Sequence, residues 1–176
     1  RVMKMADGGY RPAYNVQFST ATDSQIIVGV DVSNIGSDQG QLSPMLDQVE
    51  RRYGERPAQC LVDGGYASHD DIEDAHRLGT WVYAPVPKPK DPSRDPHVAL
   101  LNDSAVIALW RERMGSDEAK EIYKQRAATA ECVNAIARGR GLTQLLVRGL
   151  NKVKAVALWY ALAHNLTRAV TLAQTA

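Results

Sequence analysis

Acidic side chains are nearly missing from one part of this sequence. From Ile122 to the C-terminus there is a single acid, Glu131, against eight Lys or Arg, a local balance of +7, whereas residues 1–121 carry 13 basic and 19 acidic groups, a balance of −6. The overall charge of +1 therefore conceals a basic C-terminal third, which points to a surface facing a polyanion. Cysteine is sparse as well. Cys60 and Cys132 show no metal-ligand spacing, which argues against a disulfide framework and reads as two packing residues in a reduced, cytoplasmic setting. No signal peptide is evident, and the longest uncharged apolar run of the last helix, Ala155 to Thr167, falls short of the roughly 20 residues a membrane span needs. It reads as a buried helix. The histidines His69, His76, His97 and His164 have no i, i+4 partner of the kind a metal site uses, and His164 reads as a hydrogen-bonded core residue. Trp110, Trp159 and Tyr160 fall on apolar faces and read as core. Internal repeats and low-complexity tracts are absent from the sequence.

What is present is enough apolar residue, 44% of 176, to bury one full core. Residues 1–176 are expected to form a single α/β domain, with 86–115 as a loop-plus-helix insertion and 141–176 as a C-terminal helical part. The chain begins RVMKMADGG, without an initiator Met, and is expected to be a piece of something longer.

Along the chain, YNVQFST (Tyr14 to Thr20) and QIIVGVDV (Gln25 to Val32) are β-rich runs separated by Ala21 to Ser24, the pattern of an antiparallel hairpin. Gly8-Gly9 before them marks a turn, and Asp7 and Asp23 are turn acids. Leu42, Met45, Leu46 and Val49 recur at helical spacing and stop at Gly54, with Asp38 as the expected cap. Gln59 to Asp63 forms a short apolar strand that ends in an acid and breaks at Gly64-Gly65. Ser68 opens a helix that runs to Leu78, and Trp81 to Pro85 is the next strand. VPKPKDPSRD is an extended loop, Val98 to Met114 has helical periodicity, and Leu150 to Leu172 forms the last helix.

The run Ser116 to Arg140, SDEAKEIYKQRAATAECVNAIARGR, reads as one helix of about six turns, capped by Ser116, acidic in its first turn, and closed near Gly139. At roughly 100° per residue, Tyr123, Arg126, Glu131, Asn134 and Arg138 fall within an arc of about 140°, opposite Ile122, Cys132, Val133 and Ile136. An isolated Glu on a helix is ordinarily a solvated surface residue, and an Asp before Gly-Gly is ordinarily a turn former.

These residues gain a second reading from a family. Tyr123, Arg126, Glu131 and Arg138 resemble the Tyr-Arg-Glu-Lys signature of Asp-Asp-Glu transposases of bacterial insertion sequences. GYRPAYNVQ, LVDGGYAS, YKQRAATAE and RGLNKVKA...LAHNL resemble stretches of one DDE-domain group in order along nearly the whole chain. Two departures stand out: four residues rather than three separate Arg126 from Glu131, and Arg138 occupies the Lys position.

The resemblance implies a ribonuclease-H-like mixed sheet flanked by helices, lacking its first strand, with C-terminal helices. It implies Asp63 and Glu131 as catalytic, metal-holding carboxylates for Mg²⁺ or Mn²⁺. Tyr123, Lys124, Arg126 and Arg138 would contact DNA phosphate, the partner being double-stranded DNA at transposon ends and target, with a homodimer on DNA and a bacterial, nucleoid-associated location. The first Asp has no counterpart. In the resembled strand order 3-2-1-4-5, Asp31 would lie three strands from Asp63, roughly 14 Å away at about 4.8 Å per strand, too far for metals about 4 Å apart. That acid is expected upstream of Arg1, and the chain alone is expected to be inactive. Two other functions share the residues: a catalytically incomplete DNA-binding remnant, and a ribonuclease-H-like nuclease without strand transfer.

Overall fold

A computed structural model describes residues 2–4 and 8–175, the Lys4 side chain excepted, so the expected turn at Asp7 lies outside the described residues. The chain divides into two compact units, one formed by 1–37 with 127–176 and the other by 38–126.

In the first unit, β1 (Val2–Lys4) and β2 (Tyr10–Pro12) pair antiparallel, a ribbon that the sequence patterns did not suggest. The expected hairpin is β3 (Asn15–Thr20) with β4 (Ile27–Ser33), also antiparallel. Alternation along β4 buries Val30 and Val32, and the register shift where Ser19 pairs Gly29 but Thr20 pairs Ile27 brings Ile27 into the same core. Those residues form a core with Val133 and with Val153, Ala157 and Ala161 of the last helix, α6 (Leu150–Thr175).

The second unit reads α1 (Leu42–Tyr53), β5 (Gln59–Leu61), α2 (His69–Arg77), β6 (Trp81–Tyr83), α3 (Ala105–Gly115) and α4 (Asp117–Arg126). β5 and β6 pair parallel. Leu42, Leu46, Ile72, Val82, Ile107, Trp110 and Met114 close its core. Two of the expected caps form as read: the Ser68 hydroxyl accepts from the Asp71 N–H at 3.1 Å, and the Ser116 hydroxyl from the Ala119 N–H at 3.1 Å.

Several expectations are corrected. α3 begins at Ala105, not Val98, because Ser104 caps it and Asp103 accepts from the Leu100 N–H at 2.8 Å, which holds 100–103 in a turn. Leu101, counted into the helical periodicity, is 100% exposed there. Asp38 does not cap α1. The N-cap is Gln41, without a side-chain bond, and the Gln41 N–H donates to the Asp38 carbonyl at 3.2 Å. The long helix from Ser116 is not uniform: a π segment, Ala127–Glu131, stands between α4 and α5 (Cys132–Gly139). The left-handed residue after α5 is Gly141 (φ 95°), not Gly139. α6 is not buried all round, and Trp159, read as core, is 72% exposed, whereas Trp110 is core as expected. The fold is mixed α/β, and its described strands form three separate two-stranded sheets.

Candidate functional site

Asp63 stands just beyond β5, at the point where strand pairing gives out. The last cross-strand bond runs from the Val62 N–H to the Tyr83 carbonyl at 3.0 Å. The chain then turns: the Tyr66 N–H donates to the Asp63 carbonyl at 3.2 Å and the Gly65 N–H to Asp63 Oδ1 at 2.9 Å. The other carboxylate oxygen, Oδ2, accepts from Arg126 Nη2 at 3.3 Å, a pair spanning 63 positions of sequence. Two residues singled out separately are therefore brought together, at the end of a strand and the end of α4.

Gly65 leaves room for a second carboxylate. A Cβ there would lie 3.1 Å from Asp63 Oδ1 and 3.5 Å from Asp38 Oδ2, so both acids reach the same small space. Tyr66 lies beside them. Burial, reinforced by the negative charges of Asp38 and Asp63 and opposed by Arg126, pushes its phenol well above the usual tyrosine value, so the hydroxyl keeps its proton. Asp38 and Tyr66 were missed as site residues because no local signal marks them; 25 positions separate Asp38 from Asp63 in the sequence.

The remaining cations and the tyrosine of α4 stand differently. Lys124 is solvent-exposed and pairs with Glu121 one turn earlier. Tyr123, with Ile122, packs partly buried against the core of its unit.

Glu131 and Arg138 belong to the first unit. Both are exposed, while Val133 and Ala137 supply the buried side of α5. The extra residue between Arg126 and Glu131 falls in the π segment, whose i→i+5 hydrogen bonds take one more residue per turn. A constant 100° rotation does not hold through Ala127–Glu131, so the single arc expected on one regular helix is replaced by two stretches in different registers.

This segment is tied to the hairpin. Gln25 adopts φ +59°, uncommon for a residue with a Cβ, and its side-chain Nε2 donates to the Ala128 carbonyl at 2.8 Å. α6 holds the same turn. His164 Nε2 lies 2.9 Å from the Gln25 carbonyl, Arg168 Nε donates to the Ser24 carbonyl at 2.7 Å, and the Asn165 side chain exchanges two 2.8 Å bonds with the Ile27 backbone. The LAHNL stretch is thus a clamp on the hairpin. The Gly149 N–H donates to the Tyr14 hydroxyl at 2.8 Å, so the GYRPAYNVQ and RGLNKVKA stretches also meet. Asp31 is engaged by Lys154 at 2.8 Å.

Hard divalent ions prefer oxygen donors, and Mg²⁺ is commonly held by one or two carboxylates with water and phosphate oxygens completing its shell. The Asp63 and Asp38 oxygens converging beside Gly65 suit such an ion in donor type. Among the described residues no group of three or more His, Cys, Asp or Glu is placed to hold a metal.

Residues 97–170 match the family model of the transposase DDE domain. Tyr123, Lys124, Arg126, Glu131 and Arg138 lie inside the matched span; Asp63 lies before it. No curated protein and no solved structure matches the chain.

Proposed function

We propose, starting from the transposase DDE domain matched over residues 97–170, that this chain is part of the catalytic domain of a DNA transposase. Its reaction would be metal-dependent hydrolysis of a phosphodiester at the element end, followed by attack of the freed 3′-hydroxyl on target DNA. The observation that carries this reading is the Arg126–Asp63 pair. It sets a phosphate-binding cation from the matched segment against the carboxylate that ends a parallel strand, the two kinds of group a phosphodiester site needs together.

The ribonuclease-H-like arrangement is supported by the strand pairings. In the order 3-2-1-4-5, strands 2 and 3 pair antiparallel and 4 and 5 parallel, the pairings of β3–β4 and β5–β6.

Asp63 and, by its place in the signature, Glu131 are the proposed holders of Mg²⁺ or Mn²⁺, and Asp38 adds a carboxylate beside Asp63. When bound, the ion would supply charge neutralisation at the phosphate. The chain's own cations do the positioning. Arg126 can exchange its carboxylate partner for a phosphate oxygen, and Arg138, exposed on α5, contacts the backbone without reading bases. Protonated Tyr66 can donate a hydrogen bond to either carboxylate.

The chain is proposed to bind duplex DNA through its basic C-terminal third. The test uses the complete gene product with a DNA substrate carrying the element's terminal repeats. Cleavage and joining, scored separately with Mg²⁺, should both vanish in Asp63→Ala and Glu131→Ala variants that still bind DNA. Cleavage retained by Glu131→Ala would sink the assignment, and cleavage without joining in the unaltered protein would favour a nuclease.

A further inference from the structure

α6 presents two apolar faces and only one of them is covered. Val153, Ala157, Ala161 and His164 turn inward onto the hairpin. On the other side Ala155, Trp159, Leu162, Leu166, Ala169 and Ala173 are all exposed, flanked by exposed Leu158, Ala163 and Val170. The six recur at intervals of four, three, four, three and four residues, the heptad spacing by which one helix seats against another.

We infer that this face of α6 is an interface between two copies of the chain, paired antiparallel about a two-fold axis level with residue 164. With that axis, Leu162 of one copy opposes Leu166 of the other, Trp159 opposes Ala169, and Ala155 opposes Ala173. The largest side chain of the stripe thus meets one of the smallest, so the surface is complementary to itself, as a two-fold interface requires. Charge selects the direction. No charged residue lies in the stripe, and the exposed Lys152 before its start would face Lys152 in a parallel pair, a like-charge contact that the antiparallel pair avoids.

The same features argue against other occupants. DNA needs cations within the contact, and the stripe has none. Anionic lipid binding draws on Lys or Arg flanking the apolar face, and among the exposed residues of α6 only Lys152, before the start of the stripe, is charged. From Ala155 to Ala173 the stripe is about 27 Å long and roughly 10 Å wide, small for a specific interface, so the pair is a reversible dimer and not an obligate one.

Sedimentation velocity of the complete gene product over a hundredfold concentration range, without DNA, should show a monomer–dimer equilibrium. Leu162→Glu and Leu166→Glu each place an acid opposite a leucine across the axis and should give a monomer throughout; both sites are exposed, so the circular dichroism spectrum should not change. When Leu162→Cys and Leu166→Cys chains of different tag mass are mixed and oxidised, the mixed disulfide dimer should exceed either homodimer. The inference is overturned by a chain that stays monomeric at the highest concentration, by a dimer indifferent to both Glu variants, by dominance of the Leu162→Cys homodimer, or by a Trp159 emission shift seen only with phosphatidylglycerol vesicles.

Discussion

At the scale of single residues, the electrostatics of the second unit concentrate in a few pairs. Arg111 Nε donates to Asp103 Oδ2 at 2.7 Å with both side chains almost wholly buried. Desolvation alone would raise the Asp103 carboxyl, but the Leu100 N–H and Arg111 outweigh it and hold the group below its usual 3.8. A depressed folded-state value means that the pair stabilises above that usual value and that the contribution is lost as pH falls through and below it. Asp103→Ala, which leaves a buried guanidinium without its carboxylate, should therefore cost about 3 kcal/mol at neutral pH by urea denaturation, and less when measured near pH 3. Cys60 runs the other way. Burial pushes its thiol from 9.0 up to about 12, with Arg56 opposing. The folded protein should resist iodoacetamide at Cys60 at pH 8, and any base-side loss of stability from this thiol should begin above about pH 9, where only the unfolded chain ionises. Rapid labelling of the half-buried Cys60 at pH 8 would contradict the raised thiol.

Elements come next, and the informative one is the π segment. It forms where the chain carries one residue more than the resembled signature, and Gln25 meets its Ala128 carbonyl from a left-handed conformation. Gln25→Ala loses that bond and keeps the backbone strain, so it should destabilise by about 1 kcal/mol, whereas Gln25→Gly loses the bond but relieves the strain and should be milder. Equal denaturation midpoints would contradict the strain. Asn165→Ala removes two bonds to the Ile27 backbone and should cost about 2 kcal/mol or more. At Gly115, a Cβ would stand 3.0 Å from His97 Cβ and Cγ, so Gly115→Ala should lower the melting temperature by displacing that ring.

For the whole molecule, the charge division stands out. The basic C-terminal third supplies the exposed Arg138 and Lys152 as well as Arg126, which lies beside Asp63. Arg138→Ala should weaken duplex DNA binding about equally for all sequences and reduce the slope of log K against log salt by about 1. A sequence-selective loss would instead mark Arg138 as a base reader. No helix among the described residues is long and apolar enough to cross a membrane.

The sequence by itself determined whatever depends on neighbours within a turn or a strand. Ser68 and Ser116 announce their helices because a hydroxyl placed before a helical run satisfies a free N–H, and the β3–β4 hairpin follows from its two β-rich runs. The signature residues around Glu131 were legible for the same reason, being a local pattern. Only the tertiary structure decided that Asp38 reaches the space beside Asp63, that burial raises the Tyr66 phenol there, that LAHNL clamps a hairpin more than 130 positions away, and that one face of α6 is left open. Burial and convergence are set by which distant segments pack together. An apolar residue such as Trp159 carries the same hydrophobicity whether it faces a core or water.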